Sequence, residues 1–121
     1  MVFDERLEML RSGNVISPEV ETLVRRVISR LEKRWRIKLT EENGGRLVTH
    51  LAMALMRISR HEEIPEPELA VLDEFRDLDV FFLAEKIVDD LIAWAPINLP
   101  ESERKYMIVN ICLLLDDSED D

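Results

Sequence analysis

From Val20 onward, apolar side chains return at every third or fourth position: Val20, Leu23 or Val24, Val27, Leu31 and Trp35. That interval is the period of an α-helix with one face turned to a core. A second run, Leu47, Leu51, Ala54, Leu55 and Ile58, keeps the same spacing. A half-buried strand would need strict alternation closed by a tight turn such as Asn-Gly, and no such run exists in the chain. The chain is therefore confined to helices packed on helices.

The boundaries follow from punctuation. Phe3, Leu7 and Leu10 fit a short helix over 2–10 that Gly13-Asn14 ends. Ser17-Pro18 opens the next, serine as cap and proline at the first helical position, and the pattern continues to about Arg36. Thr40 caps a third helix. Gly44-Gly45 lies near its start, and each glycine costs about 1 kcal/mol in a helix interior. Either that helix begins near Arg46, or the glycines let another backbone approach closely. Pro65 and Pro67 make residues 61–67 a connector, with His61 a solvated loop residue. A short helix is expected over 67–75, and a fourth main helix from an Asp79 cap to about Trp94. Pro96 and Pro100 bracket a loop. The last helix opens at Pro100 with acids near its positive end and packs Tyr106, Val109, Ile111, Leu113 and Leu114. The expected fold is all-α, a compact bundle of about five helices in one domain over 1–115, with an acidic tail over 116–121.

At 46% hydrophobic residues the chain can bury a core, yet no apolar run of about 18 residues is present, so no membrane span is expected. The N-terminus lacks a signal-peptide layout, and the single Cys112 sits in an apolar helix pattern as a packed thiol. Together these point to the cytoplasm. A formal charge of −10 argues against nucleic acid as a direct partner. The charge is uneven: Arg25, Arg26, Arg30, Lys33, Arg34, Arg36 and Lys38 crowd one stretch. It reads either as the solvated face of a long helix or as a docking surface for an acidic protein partner. His61-Glu62-Glu63 lacks metalloprotease spacing, and no Cys/His cluster occurs elsewhere, so neither a metal nor a cofactor is expected. No nucleophile with a base and no glycine-rich phosphate loop stands out. Glu103 and Asp89 read as helix-surface charges, and no enzyme activity is expected.

The segment 46–57 carries the chemistry that remains. Arg46, His50, Met53 and Arg57 share one helical stripe beside the apolar one. Imidazole changes charge near neutral pH and can act as a nucleophile. Neighbouring guanidinium groups favour an anion there, because arginine grips phosphate oxygens with paired charge-assisted hydrogen bonds. A phosphorylated histidine fits this stripe; so does a half-buried helix histidine beside solvated arginines.

His50, the hydrophobics after it and Arg57 resemble the first half of a PTS regulation domain (PRD), an all-helical regulatory module of bacterial antiterminators and transcriptional activators. The segment from Phe82 to Ile92 resembles the family's fourth helix, and that from Leu99 to Asn110 its fifth. The match covers most of the chain in the right order. Two positions differ from the common pattern: Asn110 stands where many members carry a second histidine, and Thr49 where an aspartate often precedes the first. The resemblance implies a stand-alone, single-domain member. His50 would be phosphorylated by the phosphocarrier protein HPr or another sugar phosphotransferase component, with Arg46 and Arg57 contacting the phosphate. With no residues left over for a DNA- or RNA-binding module, such a chain is expected to act through an unidentified protein partner or as a homodimer, the His50 helix or the final helix lying near the interface. The alternative is a dimeric helical scaffold that is never phosphorylated.

Overall fold

A computed structural model describes residues 2–62, 69–95 and 97–119. Among them are six helices and no strand, so the fold is all-α. The chain divides into two compact units, residues 1–62 and 63–121.

The first unit holds α1 (Asp4–Ser12), α2 (Pro18–Lys33) and α3 (Glu41–Ser59). Helix α1 begins and ends two residues later than its apolar pattern suggests, and it stops directly before Gly13-Asn14 as expected. Gly13 donates to the Met9 carbonyl at 3.0 Å, and Asn14 takes the left-handed conformation at φ 59°. Asparagine tolerates that region better than most side chains. Ser17 caps α2, its hydroxyl accepting from the Val20 amide at 3.2 Å. The α2 face that packs on α3 buries Val20, Val24, Val27, Ile28 and Leu31. Val24 is fully buried and Leu23 only partly, which fixes the phase of the stripe. Helix α2 stops at Lys33, short of the expected Arg36, because Arg36 turns the chain through the left-handed region at φ 58°. Ile37 then donates to the Leu31 carbonyl at 3.1 Å. Trp35 is half-buried at this corner, with the Arg34 guanidinium 5.2 Å from its ring centre.

Thr40 caps α3 in a reciprocal box: the Asn43 amide donates to its hydroxyl at 3.2 Å, and the Asn43 side chain accepts from the Thr40 amide at 2.7 Å. The helix therefore begins at Glu41 and runs through both glycines. What approaches them is side chain rather than backbone. A Cβ on Gly44 would stand 2.9 Å from the Phe3 ring, and one on Gly45 3.3 Å from the Arg6 guanidinium. At the far end of α3, His61 adopts φ 57° and donates its amide to the Ile58 carbonyl at 3.1 Å. This histidine, exposed as expected, helps turn the chain out of the helix.

The second unit holds α4 (Leu69–Arg76), α5 (Phe81–Trp94) and α6 (Glu101–Glu119), with α5 and α4 both packed on α6. The expected connector residues 63–67 and Pro96 lie outside the described residues. Asp79 does not cap α5. The N-cap is Val80, which makes no side-chain cap bond, and a turn from Leu78 to Phe81 delivers the chain to the helix. Helix α5 buries Ala84, Ile87, Val88 and Leu91. On α6 the inward face is Met107, Ile108, Ile111, Cys112, Leu114 and Leu115. Tyr106, expected inside, is exposed, and Val109 and Leu113 are half-buried. Helix α6 continues as far as Glu119, so the first residues of the acidic run extend it.

Candidate functional site

Helix α3 presents the Arg46, His50, Met53 and Arg57 stripe on the face opposite its buried one. Leu47, Leu51, Ala54 and Leu55 are buried, whereas Arg46 and His50 are exposed and Met53 and Arg57 half-buried. At about 1.5 Å of rise per residue, Arg46 stands about 6 Å behind the histidine along the axis and Arg57 about 10.5 Å ahead of it. The imidazole is thus open to a partner rather than half-buried, and its stripe is cationic at both ends.

A third guanidinium lies beside this stripe. Arg6 of α1 donates from Nη1 to the Thr49 hydroxyl at 3.1 Å and from Nη2 to Glu41 Oε2 at 2.6 Å. The hydrogen bond it donates to Glu41 raises the Arg6 pKa above its ordinary value, against a smaller opposing effect of burial. Arg6 therefore lies along the 41–45–49 ridge of α3, one residue before the histidine. Gly45 leaves room for it. Sequence inspection missed Arg6, because the contact spans 43 residues and no local pattern announces it.

The remaining candidates fall elsewhere. Asn110 belongs to α6 in the second unit, where it is buried and donates from Nδ2 to the Tyr106 carbonyl of its own helix at 2.9 Å. Glu103, expected on the surface, is 3% exposed. Its place on the 103–107–111–114 ridge, the inward ridge of α6, accounts for this, and an acid in a first turn suits the positive helix end. Asp89 does lie on the surface, bridged to Arg104 at 3.1 Å. Burial pushes the Cys112 thiol up to about 11, as a packed core thiol should be. The basic stretch is partly neutralised from within its own unit, since Arg25 pairs with Asp4 and, at 3.8 Å, with Glu21. Arg26, Lys33, Arg34, Arg36 and Lys38 are exposed. Among the described residues no cluster of three or more His, Cys, Asp or Glu could hold a metal, and no helix is long and apolar enough to cross a membrane.

The arrangement offers an accessible imidazole among cations, suited to carrying or meeting a phosphoryl group. The family model described as PRD domain matches residues 25–111, a span that takes in His50 and both flanking arginines. An uncharacterized protein of Haemophilus influenzae is 24% identical over 107 residues, covering 88% of this chain and 86% of its own. The uncharacterized protein YhfY of Escherichia coli K12 is 25% identical over 108 residues, covering 89% and 90%. No solved structure matches the chain.

Proposed function

The chain belongs to the PRD domain family, and from that premise we propose that it is a regulatory module switched by phosphate on His50. The family is of the phosphotransferase-regulation type, regulatory rather than catalytic. The donor is HPr or another phosphotransferase protein carrying a phosphohistidine. A ring nitrogen of neutral His50 attacks the phosphorus, a new N–P bond forms, the donor's N–P bond breaks, and its electron pair returns to the donor imidazole. Phosphate brings nearly two negative charges and three acceptor oxygens. In this reading Arg46 and Arg57 meet them, and Arg6 adds positive charge from the Thr49 side. The altered charge on α3 then shifts self-association or the docking of a protein partner.

The observation that carries this reading is the exposure of His50 on a stripe bounded by arginines. Incubation with phosphoenolpyruvate, the general phosphotransferase enzyme and HPr, followed by intact-protein mass spectrometry at neutral pH, tests it. One added phosphate supports it; none, where a control PRD is modified, overturns it. That second outcome leaves a helical scaffold that is never phosphorylated. Asn110 favours this alternative, since it cannot carry a phosphoryl group and spends an amide hydrogen on its own helix.

A further inference from the structure

The corner between α2 and α3 carries four cations that the stripe around His50 does not use. Lys33 and Arg34 stand at the end of α2, and Arg36 and Lys38 lie in the segment that leads to the Thr40 cap. All four are exposed, and among the described residues no acid bridges any of them. Glu32, the nearest acid in sequence, is itself exposed and pairs with none of the four. Arg25, earlier in the same helix, differs: it is paired with Asp4 and Glu21.

The helix end accounts for only part of this cluster. Cations near a helix C-terminus meet the negative end of its dipole, which explains Lys33 and Arg34. That effect fades within the last turn, and Arg36 and Lys38 lie beyond it. Their placement is built by the fold. Arg36 takes φ 58°, a conformation that glycine adopts at less cost. From there the side chains alternate: Ile37 and Leu39 are buried, while Arg36 and Lys38 face water. The Ile37 amide donates to the Leu31 carbonyl at 3.1 Å, and Asn43 Nδ2 donates to the Lys38 carbonyl at 2.9 Å, so the segment is pinned along its length. The Arg34 guanidinium lies 5.2 Å from the centre of the Trp35 ring, and stacking of this kind leaves its in-plane N–H groups able to donate.

We propose that this corner docks an extended acidic segment of a partner protein. The α-carbons of Arg36 and Lys38 are at most about 7 Å apart, and alternate residues of an extended chain repeat at about 6.6 Å. Carboxylates at every second position of such a segment therefore meet Arg36 and Lys38 in register, and Arg34 and Lys33 extend the contact toward α2. A long polyanion such as nucleic acid also meets the rest of a chain whose charge is −10, which repels it; a short acidic segment meets the corner alone. An anionic membrane surface is repelled for the same reason. A single free phosphate would occupy one guanidinium and leave the other cations unmatched. Exposed ion pairs are individually weak and screened by salt, so the association is salt-sensitive. It does not depend on phosphate on His50.

Fluorescence anisotropy of a labelled peptide with glutamate at alternate positions, titrated with the full chain, tests it. Binding should be measurable at low ionic strength and weaken by about tenfold or more at high salt. The same peptide with glutamine in place of glutamate should not bind. Arg36→Glu and Lys38→Glu should each weaken binding by about fivefold or more, since each sets like charges face to face. Lys86→Glu changes the net charge equally from the second unit, and should leave binding within about twofold. Arg36→Gly should weaken binding without lowering the melting temperature, because glycine accepts φ 58° freely, and this separates loss of docking from loss of fold. No binding at low ionic strength overturns the proposal, as does equal weakening by Lys86→Glu. A DNA duplex or a phosphatidylserine vesicle that binds more tightly than the peptide overturns it in favour of nucleic acid or lipid. Binding that appears only once Asp116, Asp117, Glu119, Asp120 and Asp121 are neutralised makes the chain's own tail the occupant and overturns a partner protein.

Discussion

The ring of Phe3 rests on Gly44, so close that a Cβ there would stand 2.9 Å from the ring edge. Alanine in place of glycine gains about 1 kcal/mol of helix propensity, while overpacking a core costs about 1–3 kcal/mol. Phe3 is 1% exposed and cannot swing aside, so the steric cost wins at Gly44. At Gly45 the nearest atoms are the ends of Arg6 and Glu41, 3.3 Å away on flexible, partly exposed side chains. There the propensity gain wins. Thermal denaturation should show Gly44→Ala less stable than wild type and Gly45→Ala more stable. The same rank in both variants would refute this account of the glycine pair.

The two expected caps separate in the same way. Thr40 exchanges two hydrogen bonds with Asn43, whereas Asp79 precedes a helix whose N-cap makes no side-chain bond. Urea titration should show Thr40→Ala losing about 1 kcal/mol, and Asp79→Ala changing stability by less than about 0.5 kcal/mol. Comparable losses at both positions would mean that Asp79 caps α5 in solution.

These contrasts mark what the sequence makes legible. A cap such as Thr40 with Asn43, or a stripe such as Arg46–His50–Arg57, is written within one helix, so spacing alone reveals it. Helix α6 is harder, because residues 111–115 are all apolar and cover more than one face. No single phase can be read from such a run, and the sequence pattern puts Tyr106 inside and Glu103 outside, the reverse of their positions. The turn between Leu78 and Phe81 depends on backbone hydrogen bonds that leave no motif. Arg6 reaches Thr49 only because α1 folds back on α3, so the charge before His50 belongs to the tertiary structure alone.

The Cys112 thiol should be inert in the native protein. It is fully buried, and its pKa is pushed from 9.0 to about 11, chiefly by burial, with Asp116 and Glu85 adding to the shift. Iodoacetamide at pH 8 should leave it unmodified until denaturant is added. The linkage has a definite sign. The unfolded thiol ionises near 9 and the folded thiol near 11, so the unfolded state loses its proton first and stability falls as pH rises through that window. Replacement of Cys112 by alanine should remove this alkaline component. An equal alkaline decline in the variant would trace it to other groups.

The phosphate switch gives the most direct test of the site. His50 is exposed on α3, and His61 is exposed two residues past the end of that helix, so accessibility alone does not distinguish them. Their charge surroundings do: His50 has Arg46 one turn behind and Arg57 two turns ahead on the same stripe, with the Arg6 guanidinium on the adjoining Thr49. Phosphotransfer brings a highly charged donor to the acceptor, and nearby guanidinium groups stabilise that charge. Wild type should therefore take up one acid-labile phosphate, His50→Ala none, and His61→Ala one. Arg57→Ala should slow uptake by about tenfold, the effect of losing roughly 1.4 kcal/mol of transition-state stabilisation. Arg6→Ala should also slow uptake, though less than Arg57→Ala, and should still fold, since its exposed bridge to Glu41 is worth at most about 1 kcal/mol of stability. Stoichiometry should not exceed one, because Asn110 can donate a hydrogen bond to a phosphate but cannot carry one. Phosphate retained in His50→Ala, or a rate unchanged in Arg57→Ala, would move the acceptor away from this stripe.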